Sequence, residues 1–233
     1  MPTKKPENFN WYEKIPKKYL NKIHNPHYDS HHISIPFRGL IIGNSGSMKT
    51  NTLLNLIYNM PDTFERIVIC LKSKDEPLYN YLGDKLKDNG IDIVEGLENL
   101  PDVDTFDKTV QSLVVLDDLV LEKNQKQIEE FYIRARKKGC SLLYISQSYF
   151  LTPKTIRNNL THIFIKQVSS LKNLTRIMSE YALGIDKKVF KDMYNLCTHN
   201  KSDFLLVDLE ASDPKMRFRK NLDEVLEFPD DKM

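Results

Sequence analysis

Apolar and polar residues alternate in blocks along this chain of 233 residues. Short apolar runs are separated by stretches in which apolar residues recur every three or four positions, a pattern that predicts alternating strands and helices. The predicted strands cover residues 40–42, 66–71, 112–116, 141–145, 161–165 and 204–209. Continuous apolar strands linked by helices are typical of a mostly parallel central sheet with helices on both faces. The chain is therefore predicted to have an α/β fold.

Shorter elements complete the predicted domain. An alternating run at 91–94, after an Asn89-Gly90 turn, predicts an edge strand, and residues 216–219 are placed to form a hairpin with the last strand. One helix is predicted directly after the first strand and its turn. The other predicted helices cover residues 76–87, 126–138, 171–182 and 187–196, the last two joined by a turn at Gly184.

The first 32 residues differ from the rest, because they carry six lysines and four histidines among scattered aromatic residues. We predict an N-terminal arm (1–32), a main domain (33–222) and a C-terminal tail (223–233). Residues 11–20 are expected to form an amphipathic part of the arm that packs on the main domain or on a neighbouring molecule. The pair His31-His32 has no Cys or carboxylate at metal-ligand spacing, which favours a solvated arm over a metal site.

The composition, 40% hydrophobic and 28% charged, is ordinary for a soluble globular protein. A formal net charge of only +2 means that any contact with nucleic acid must come from local patches. The three scattered cysteines, Cys70, Cys140 and Cys197, favour free buried thiols in a reducing compartment. No apolar run approaches the roughly 20 residues of a membrane span, and the N-terminus is too polar for a secretory signal. We expect an intracellular protein.

The strongest motif follows the first strand, where Gly43, Lys49 and Thr50 match the spacing G-x-x-x-x-G-K-[ST] of a phosphate-binding loop. Small residues let successive backbone N–H groups surround phosphates, and the following helix adds the positive end of its dipole. Lys49 would reach the β- and γ-phosphates of ATP, and the Thr50 hydroxyl would be a ligand of Mg²⁺. The predicted nucleotide-binding residues are Gly43, Asn44, Ser45, Gly46, Ser47, Met48, Lys49, Thr50 and Asn51.

Met48 stands where this pattern has its last glycine. A left-handed backbone at Met48 would cost about 1–2 kcal/mol, and its side chain must be tolerated beside the phosphates. Because Gly46 keeps the loop flexible, we interpret the segment as a variant loop that still binds nucleotide.

A second motif ends the strand at 112–116, where four apolar residues precede Asp117-Asp118 in a Walker B arrangement. Asp117 is placed to hold Mg²⁺ through water, and Asp118 to orient and deprotonate the attacking water. The alternative is a strand that simply ends in a solvated Asp-Asp turn. The two motifs together predict a P-loop NTPase, with residues 33–222 as its ATPase domain.

Two further residues are candidates for catalysis. Gln147 ends the next strand, so its amide would lie beside Asp117 and could sense the γ-phosphate or hold the lytic water. Arg136 lies just before that strand in a basic cluster, residues 134–138. Such a cluster is either a solvated helix end that suits the helix dipole or the source of an arginine finger for a neighbouring subunit, with Arg134 as the alternative finger.

Asp117-Asp118 and the segment 136–147 resemble the core of the genome-packaging ATPases of large double-stranded DNA viruses and virophages, in the FtsK-HerA superfamily. The resemblance covers about residues 33–222, including 35–38 before the loop and 218–221 near the end. Family members have a basic residue and then His where this chain has Arg136-Lys137. They also have the glutamine found here as Gln147, and glycine in place of Met48.

The resemblance implies an ATP-driven translocase that packages viral double-stranded DNA into a preformed capsid. It implies ATP and Mg²⁺ as cofactors and a homo-oligomeric ring, hexameric or pentameric, in the host cytoplasm at the site of virus assembly or associated with the virion. With the residue roles inferred above, the catalytic residues would be Lys49, Asp118, Gln147 and Arg136, and the metal ligands Thr50 and Asp117.

Two other classes stay open. A P-loop kinase for a nucleotide or another small molecule needs arginines in a lid over the acceptor, for which Lys154 and Arg157 are the candidates. A nucleotide-binding assembly factor without turnover would follow if Met48 blocks catalysis. For a motor, the candidate DNA-phosphate contacts, each of which is otherwise a solvated charge, are Lys154, Arg157, Arg217, Arg219 and Lys220.

Overall fold

The computed structural model describes residues 9–20, 22–86, 90–122 and 124–227 of the chain. The predicted turn residue Asn89, the last residue of the predicted helix 76–87, the first eight residues of the arm and the end of the predicted tail lie outside these residues.

One sheet of nine strands, in the order β3-β2-β4-β5-β1-β6-β7-β8-β9, forms the centre of the described part of the chain. Its strands are β1 (Arg38–Ile42), β2 (Arg66–Leu71), β3 (Ile91–Glu95), β4 (Ser112–Asp117), β5 (Cys140–Ser146), β6 (His162–Ile165), β7 (Leu205–Asp208), β8 (Phe218–Lys220) and β9 (Glu224–Val225). Strands β1 to β6 pair in parallel, whereas β7, β8 and β9 extend the sheet in antiparallel fashion. The predicted mostly parallel sheet, the edge strand β3 and the hairpin of β8 with β7 are confirmed.

Helices cover both faces of this sheet, as predicted. The helices are α1 (Trp11–Lys14), α2 (Tyr28–His31), α3 (Lys49–Tyr58), α4 (Pro77–Leu86), α5 (Gln125–Arg134), α6 (Lys154–Asn158), α7 (Leu171–Tyr181) and α8 (Lys187–Cys197). Helices α3 and α4 pack in one apolar layer, and α5 to α8 pack in the layer on the opposite face. The strands face both layers, which is why they are nearly continuous apolar runs.

The predicted helix 126–138 is correct only in its first part. The α-helix ends at Arg134, and Ala135–Lys138 form a tighter 3₁₀ turn that ends at Gly139. Gly139 has a φ of 68°, a left-handed conformation that glycine adopts without steric cost, so it stops the helix before β5.

Other predictions from composition can also be checked. All three cysteines are buried and free, as predicted. Within residues 9–20, 22–86, 90–122 and 124–227, no helix has the length and apolar character needed to cross a membrane.

The described part of the arm exposes large aromatic side chains, with Trp11 71% and Tyr12 76% exposed. These side chains therefore do not pack on the main domain of their own chain, which was one of the two arrangements expected for the arm.

The prediction of a solvated arm is wrong for His31, the last residue of α2, which is fully buried. The His31 Nδ1 atom accepts a hydrogen bond from the Ile33 backbone N–H at 2.9 Å, which requires a neutral ring with that nitrogen unprotonated. Nearby, the buried Arg219 guanidinium donates to the His32 carbonyl at 3.3 Å and pairs with Asp208. The end of the arm is therefore part of the folded domain, fastened to β8.

We expect His31 to contribute a fall in the free energy of unfolding as pH falls from about 6.5 toward 4. Burial first, and then the nearby His32, His27 and Arg219, lower the pKa of His31 from 6.5 to about 4. Between these values the unfolded chain binds a proton that the folded chain excludes, so this effect removes at most about 3 kcal/mol at low pH.

The measurement is urea unfolding at several pH values, with wild type compared with His31→Asn. The introduced asparagine retains an oxygen acceptor for the Ile33 N–H and should remove the contribution of His31 to the slope, whereas His199→Asn, at an exposed position, should leave the slope unchanged. An equal slope in wild type and His31→Asn would contradict the assignment.

Candidate nucleotide-binding site

The two sequence motifs and Gln147 meet at one edge of the sheet because β4, β5 and β1 are parallel neighbours. Ile42 is paired with Ser146, and Asp117 with Ile145, so these three strands end at nearly the same height. The residues that follow them surround one cavity of about 570 Å³. Its lining includes Ser45, Gly46, Met48, Lys49, Thr50, Asn51, Glu76, Tyr79, Asp117, Asp118 and Gln147.

The first residue of the loop between β1 and α3, Gly43, lies so close to its neighbours that no side chain fits there. A Cβ atom on Gly43 would lie 2.5 Å from Lys166 Cβ and 2.6 Å from Ser47 Oγ. Two hydrogen bonds to the segment after β6 fix Asn44. Its backbone N–H donates to Gln167 O at 2.9 Å, and its Oδ1 accepts from the Ser169 N–H at 2.6 Å. Gly43, Asn44 and Ser47 therefore shape the loop, while its other predicted residues line the cavity.

Met48 is in the left-handed region, with φ 62° and ψ 40°, at the position directly before α3. The conformation is one that glycine adopts freely and that costs other residues about 1–2 kcal/mol. The Met48 side chain is 43% exposed and lines the cavity, so it does not fill the space inside the loop. The loop thus keeps the strained turn without the glycine.

Lys49 reaches back across its own loop. Its Nζ atom donates to the Asn44 carbonyl at 2.9 Å. Burial lowers the pKa of Lys49, while Asp117, Asp118 and Glu76 nearby act in the opposite direction. A lysine in the same cavity as the carboxylates of Asp117, Asp118 and Glu76 is suited to bind an anion that carries its own divalent cation.

Asp117 and Asp118 differ in surroundings although they are adjacent. Asp117 is nearly buried, and its Oδ2 atom accepts a hydrogen bond of 2.6 Å from the Tyr79 hydroxyl. Burial raises the pKa of Asp117 to about 6, against the opposing effects of Tyr79 and Lys49. Asp118 has a φ of 55° and lies closer to solvent, where its Oδ2 atom accepts a 3.3 Å hydrogen bond from Gln147 Nε2.

The donor set suits Mg²⁺. Thr50 and Asp117 offer a hydroxyl and a carboxylate to the same cavity, and Mg²⁺ prefers such oxygen ligands with the remainder supplied by water and phosphate. The described residues contain no cluster of three or more His, Cys, Asp or Glu able to hold a metal by themselves. Thr50 and Asp117 could therefore supply part of the ligand set of Mg²⁺.

The two candidate fingers differ in the structure. Arg134 donates to the Asp104 carboxylate at 2.6 Å, a bond within its own chain. Arg136 is exposed and shows no ion pair in the part of the chain that the structure describes. Arg136 precedes β5, whereas Gln147 follows it. The two residues therefore lie at opposite ends of the strands, Arg136 at the amino end of β5 and Gln147 at its carboxyl end. At about 3.3 Å per residue, the seven residues of β5 separate those ends by roughly 20 Å.

Tyr79 and Glu76 also belong to the site, although sequence reasoning missed them. Glu76 directly precedes α4 and Tyr79 lies in its first turn, and this segment reaches the cavity because β2 is the neighbour of β4 on the side away from β5. The available signal was the position of Tyr79 in a polar helical stretch directly after a buried strand. No motif connects that position with Asp117.

One of the five candidate DNA contacts was predicted wrongly, and two others are engaged by carboxylates of their own chain. Arg219 is fully buried beside Asp208. Arg157 pairs with Glu180 at 3.0 Å and lies 4.9 Å from the centre of the Tyr149 ring. Lys220 is near two carboxylates, Asp203 at 3.9 Å and Glu224 at 3.6 Å. Lys154, exposed at the start of α6, and the half-buried Arg217 retain their charge without an ion pair in the described residues.

Residues 27–212 match the model of the poxvirus A32 protein family. The chain belongs to this family. The match confirms that the chain resembles a viral protein family, as the motifs indicated. A comparison with curated proteins found no match to this A32-family chain.

Solved structures share the fold of the A32-family chain at low sequence identity. The genome-packaging NTPase B204 of Sulfolobus turreted icosahedral virus 2, in complex with sulfate, aligns with a TM-score of 0.58 and 14% identity over 84% of this chain and 100% of its own. B204, the DNA-packaging ATPase of Sulfolobus turreted icosahedral virus, aligns with a TM-score of 0.56 and 14% identity. The alignment covers 81% of this chain and 98% of B204. The cytoplasmic domain of the type VII secretion ATPase EccC of Thermomonospora curvata aligns with a TM-score of 0.50 and 16% identity. The alignment covers 82% of this chain and 26% of the EccC chain.

We expect Asp117→Asn to stabilise the nucleotide-free protein at pH 8. The folded pKa of Asp117, about 6, lies above its ordinary value of 3.8, so the folded state favours the protonated carboxyl. The stability that this group contributes is present below pH 3.8 and is lost as pH rises through 6. Asparagine does not titrate, so at pH 8 the variant should gain at most about 3 kcal/mol in free energy of unfolding.

Urea unfolding at pH 8 and pH 4 measures the effect. The variant should exceed wild type at pH 8, and its advantage should shrink at pH 4. Asp84→Asn, an exposed position on α4, is the matched control and should change neither value. A destabilised Asp117→Asn protein at pH 8 would contradict the prediction.

Proposed function

We propose that this A32-family protein is a Mg²⁺-dependent ATPase that drives double-stranded viral DNA into a preformed capsid. The observation that carries the proposal is that Lys49, Asp118 and Gln147 converge on one cavity in a chain of this family. The description of B204 as a DNA-packaging ATPase, in a protein with the same fold, supports the same activity.

The loop residues 43–51 would bind the triphosphate of ATP. Backbone N–H groups of the loop would donate to phosphate oxygens. Lys49 Nζ, which donates to the Asn44 carbonyl in the structure, would donate to a phosphate oxygen instead. Thr50 and Asp117 would hold Mg²⁺, which, when bound, neutralises charge on the phosphates during transfer. The strong burial of Asp117 keeps its carboxylate in one orientation for that role.

Asp118 is the proposed general base. Its left-handed backbone turns the side chain away from the sheet, beside Gln147 at 3.3 Å. In this position Asp118 would take the proton of the attacking water while the Gln147 amide orients that water. Gln147 directly follows β5, so a change in its contact with the γ-phosphate would act on the loop that leads into α6.

Arg136 is the proposed arginine finger, and it would act in trans. It is exposed at the sheet edge opposite its own cavity, and it carries no ion pair in the described residues, unlike Arg134. An arginine so placed can complete the site of a neighbour in a head-to-tail ring, whether hexameric or pentameric. Assembly would take place in the host cytoplasm where capsids form, or on the virion.

DNA would be bound mainly through its phosphates. The net charge of +2 leaves this task to local cations, with Lys154 and Arg217 as the candidates that are not paired in the described structure. A kinase, the alternative function, would need Arg157 in a lid, and the pairing of Arg157 with Glu180 disfavours that role.

We expect Lys49→Ala to abolish ATP binding and Asp118→Asn to retain Mg-ATP binding while losing hydrolysis. The first removes the cation that meets the phosphates, and the second replaces the base by an amide that cannot accept the proton. Nucleotide titration and phosphate release, with and without DNA, measure the two effects, while circular dichroism checks the fold. Lys188→Ala, at an exposed position on α8, is the control. Wild-type affinity in Lys49→Ala would refute the nucleotide site, and phosphate release without DNA stimulation would weaken the packaging role.

Mixing two inactive variants tests the shared site. Arg136→Ala and Asp118→Asn should each be nearly inactive, because a finger contributes about 10³–10⁵ in rate. When subunits exchange, interfaces that join the intact Asp118 of one to the intact Arg136 of the other should restore part of the activity. The measurement is the ATPase rate against mixing ratio in the presence of DNA.

The control for this experiment is Arg134→Ala, which lies in the same cluster but is occupied by Asp104. It should keep most of the activity when assayed alone. A flat baseline for the Arg136→Ala and Asp118→Asn mixture, with exchange verified by a labelled subunit, would sink the assignment of Arg136.

A further inference from the structure

Tyr79 is the one phenol that lines the nucleotide cavity among the described residues, and its hydroxyl has an unusual position. The hydroxyl donates to Asp117 Oδ2 at 2.6 Å, and both residues line the same cavity as Thr50. Asp117 and Thr50 are the two residues proposed to hold Mg²⁺. They come from different elements and different motifs, and the phenol binds the first of them.

The Tyr79 ring is fixed in place. Only 3% of the residue is exposed, and the ring packs in the apolar layer formed by α3, α4 and strands β1, β2 and β4. Tyr79 also lies in the first turn of α4, where its backbone N–H donates to the Glu76 carbonyl at 3.1 Å. Moving the ring into solvent would expose its apolar surface, which is unfavourable. The hydroxyl is therefore a rigid donor.

A rigid donor on Oδ2 determines how the Asp117 carboxylate is turned. With Oδ2 engaged, Oδ1 is left for a ligand, and rotation about the terminal bond of the side chain is blocked. Partners that hold a metal-binding carboxylate in this way are a general requirement for metal affinity. We propose that Tyr79 is a positioning residue for Mg²⁺, which orients Asp117 toward the metal and links the metal site to α4.

This inference rests on the proposed function, because it concerns Mg²⁺ bound with a nucleotide in the same cavity. A second interpretation of the same contact is that the phenol competes with Mg²⁺ for Asp117 and must leave when the metal binds. A third is that the hydrogen bond only stabilises the fold. The three interpretations predict different effects of removing a single oxygen atom.

The test is Tyr79→Phe, which keeps the buried ring, with Tyr81→Phe as the matched control on the exposed face of the same helix. Binding of a fluorescent non-hydrolysable ATP analogue is titrated in EDTA and then at increasing Mg²⁺. For Tyr79→Phe we expect the half-saturating Mg²⁺ concentration to rise about tenfold. Affinity in EDTA should stay within about twofold of wild type, since the phosphate loop is unchanged; Tyr81→Phe should match wild type throughout.

An unchanged Mg²⁺ dependence in Tyr79→Phe, whether or not thermal stability falls, would reduce the contact to a structural one and overturn the inference. Tighter Mg²⁺ binding would overturn it in favour of competition. Both outcomes leave the proposed function standing, because wild type would still bind the analogue with Mg²⁺. Failure of wild type to bind the analogue under any condition would instead remove the proposed function.

Discussion

The contact beneath Gly43 is the constraint on which the site depends. The backbone passes so close to Lys166 and Ser47 that even a methyl group would collide with their side chains. Lys166 is itself buried and held by the Ser202 carbonyl at 2.8 Å, so it has little room to retreat. This packing fixes where the chain leaves β1, and therefore where the N–H groups of the loop, Lys49 and the first turn of α3 stand.

A second fixed point lies at the opposite edge of the sheet. There Asp208 accepts from Arg219 at 3.3 Å and approaches His162 Nε2 at 3.4 Å, all three side chains being buried. Breaking such a buried pair is costly because it leaves an uncompensated charge. The same arginine binds the carbonyl of His32, so this network ties the arm to the last strands while the nucleotide edge stays open to ligand.

Sequence reasoning was most successful where the physics is local. Apolar runs located the parallel strands, and contiguous motifs placed Lys49, Asp117 and Asp118 at strand ends that a parallel sheet must align. It failed where a partner lies far away in sequence. The burial of His31 depends on a strand nearly 190 residues later, as the His32–Arg219 contact shows. The bond of Tyr79 to Asp117 depends on the order of strands and on the rotational phase of α4, which periodicity in a polar helix determines poorly.

The placement of Arg136 and the nucleotide cavity at opposite edges of one sheet has a consequence for assembly. Under the proposed arrangement each subunit donates at one edge and receives at the other, so its two contact surfaces are different. An open chain of such subunits always has one terminal cavity without an arginine, and adding subunits never removes that defect. Only closure removes it. Full turnover per subunit would then be a property of the closed assembly. A subunit outside the ring would hydrolyse ATP only slowly, so little ATP would be wasted.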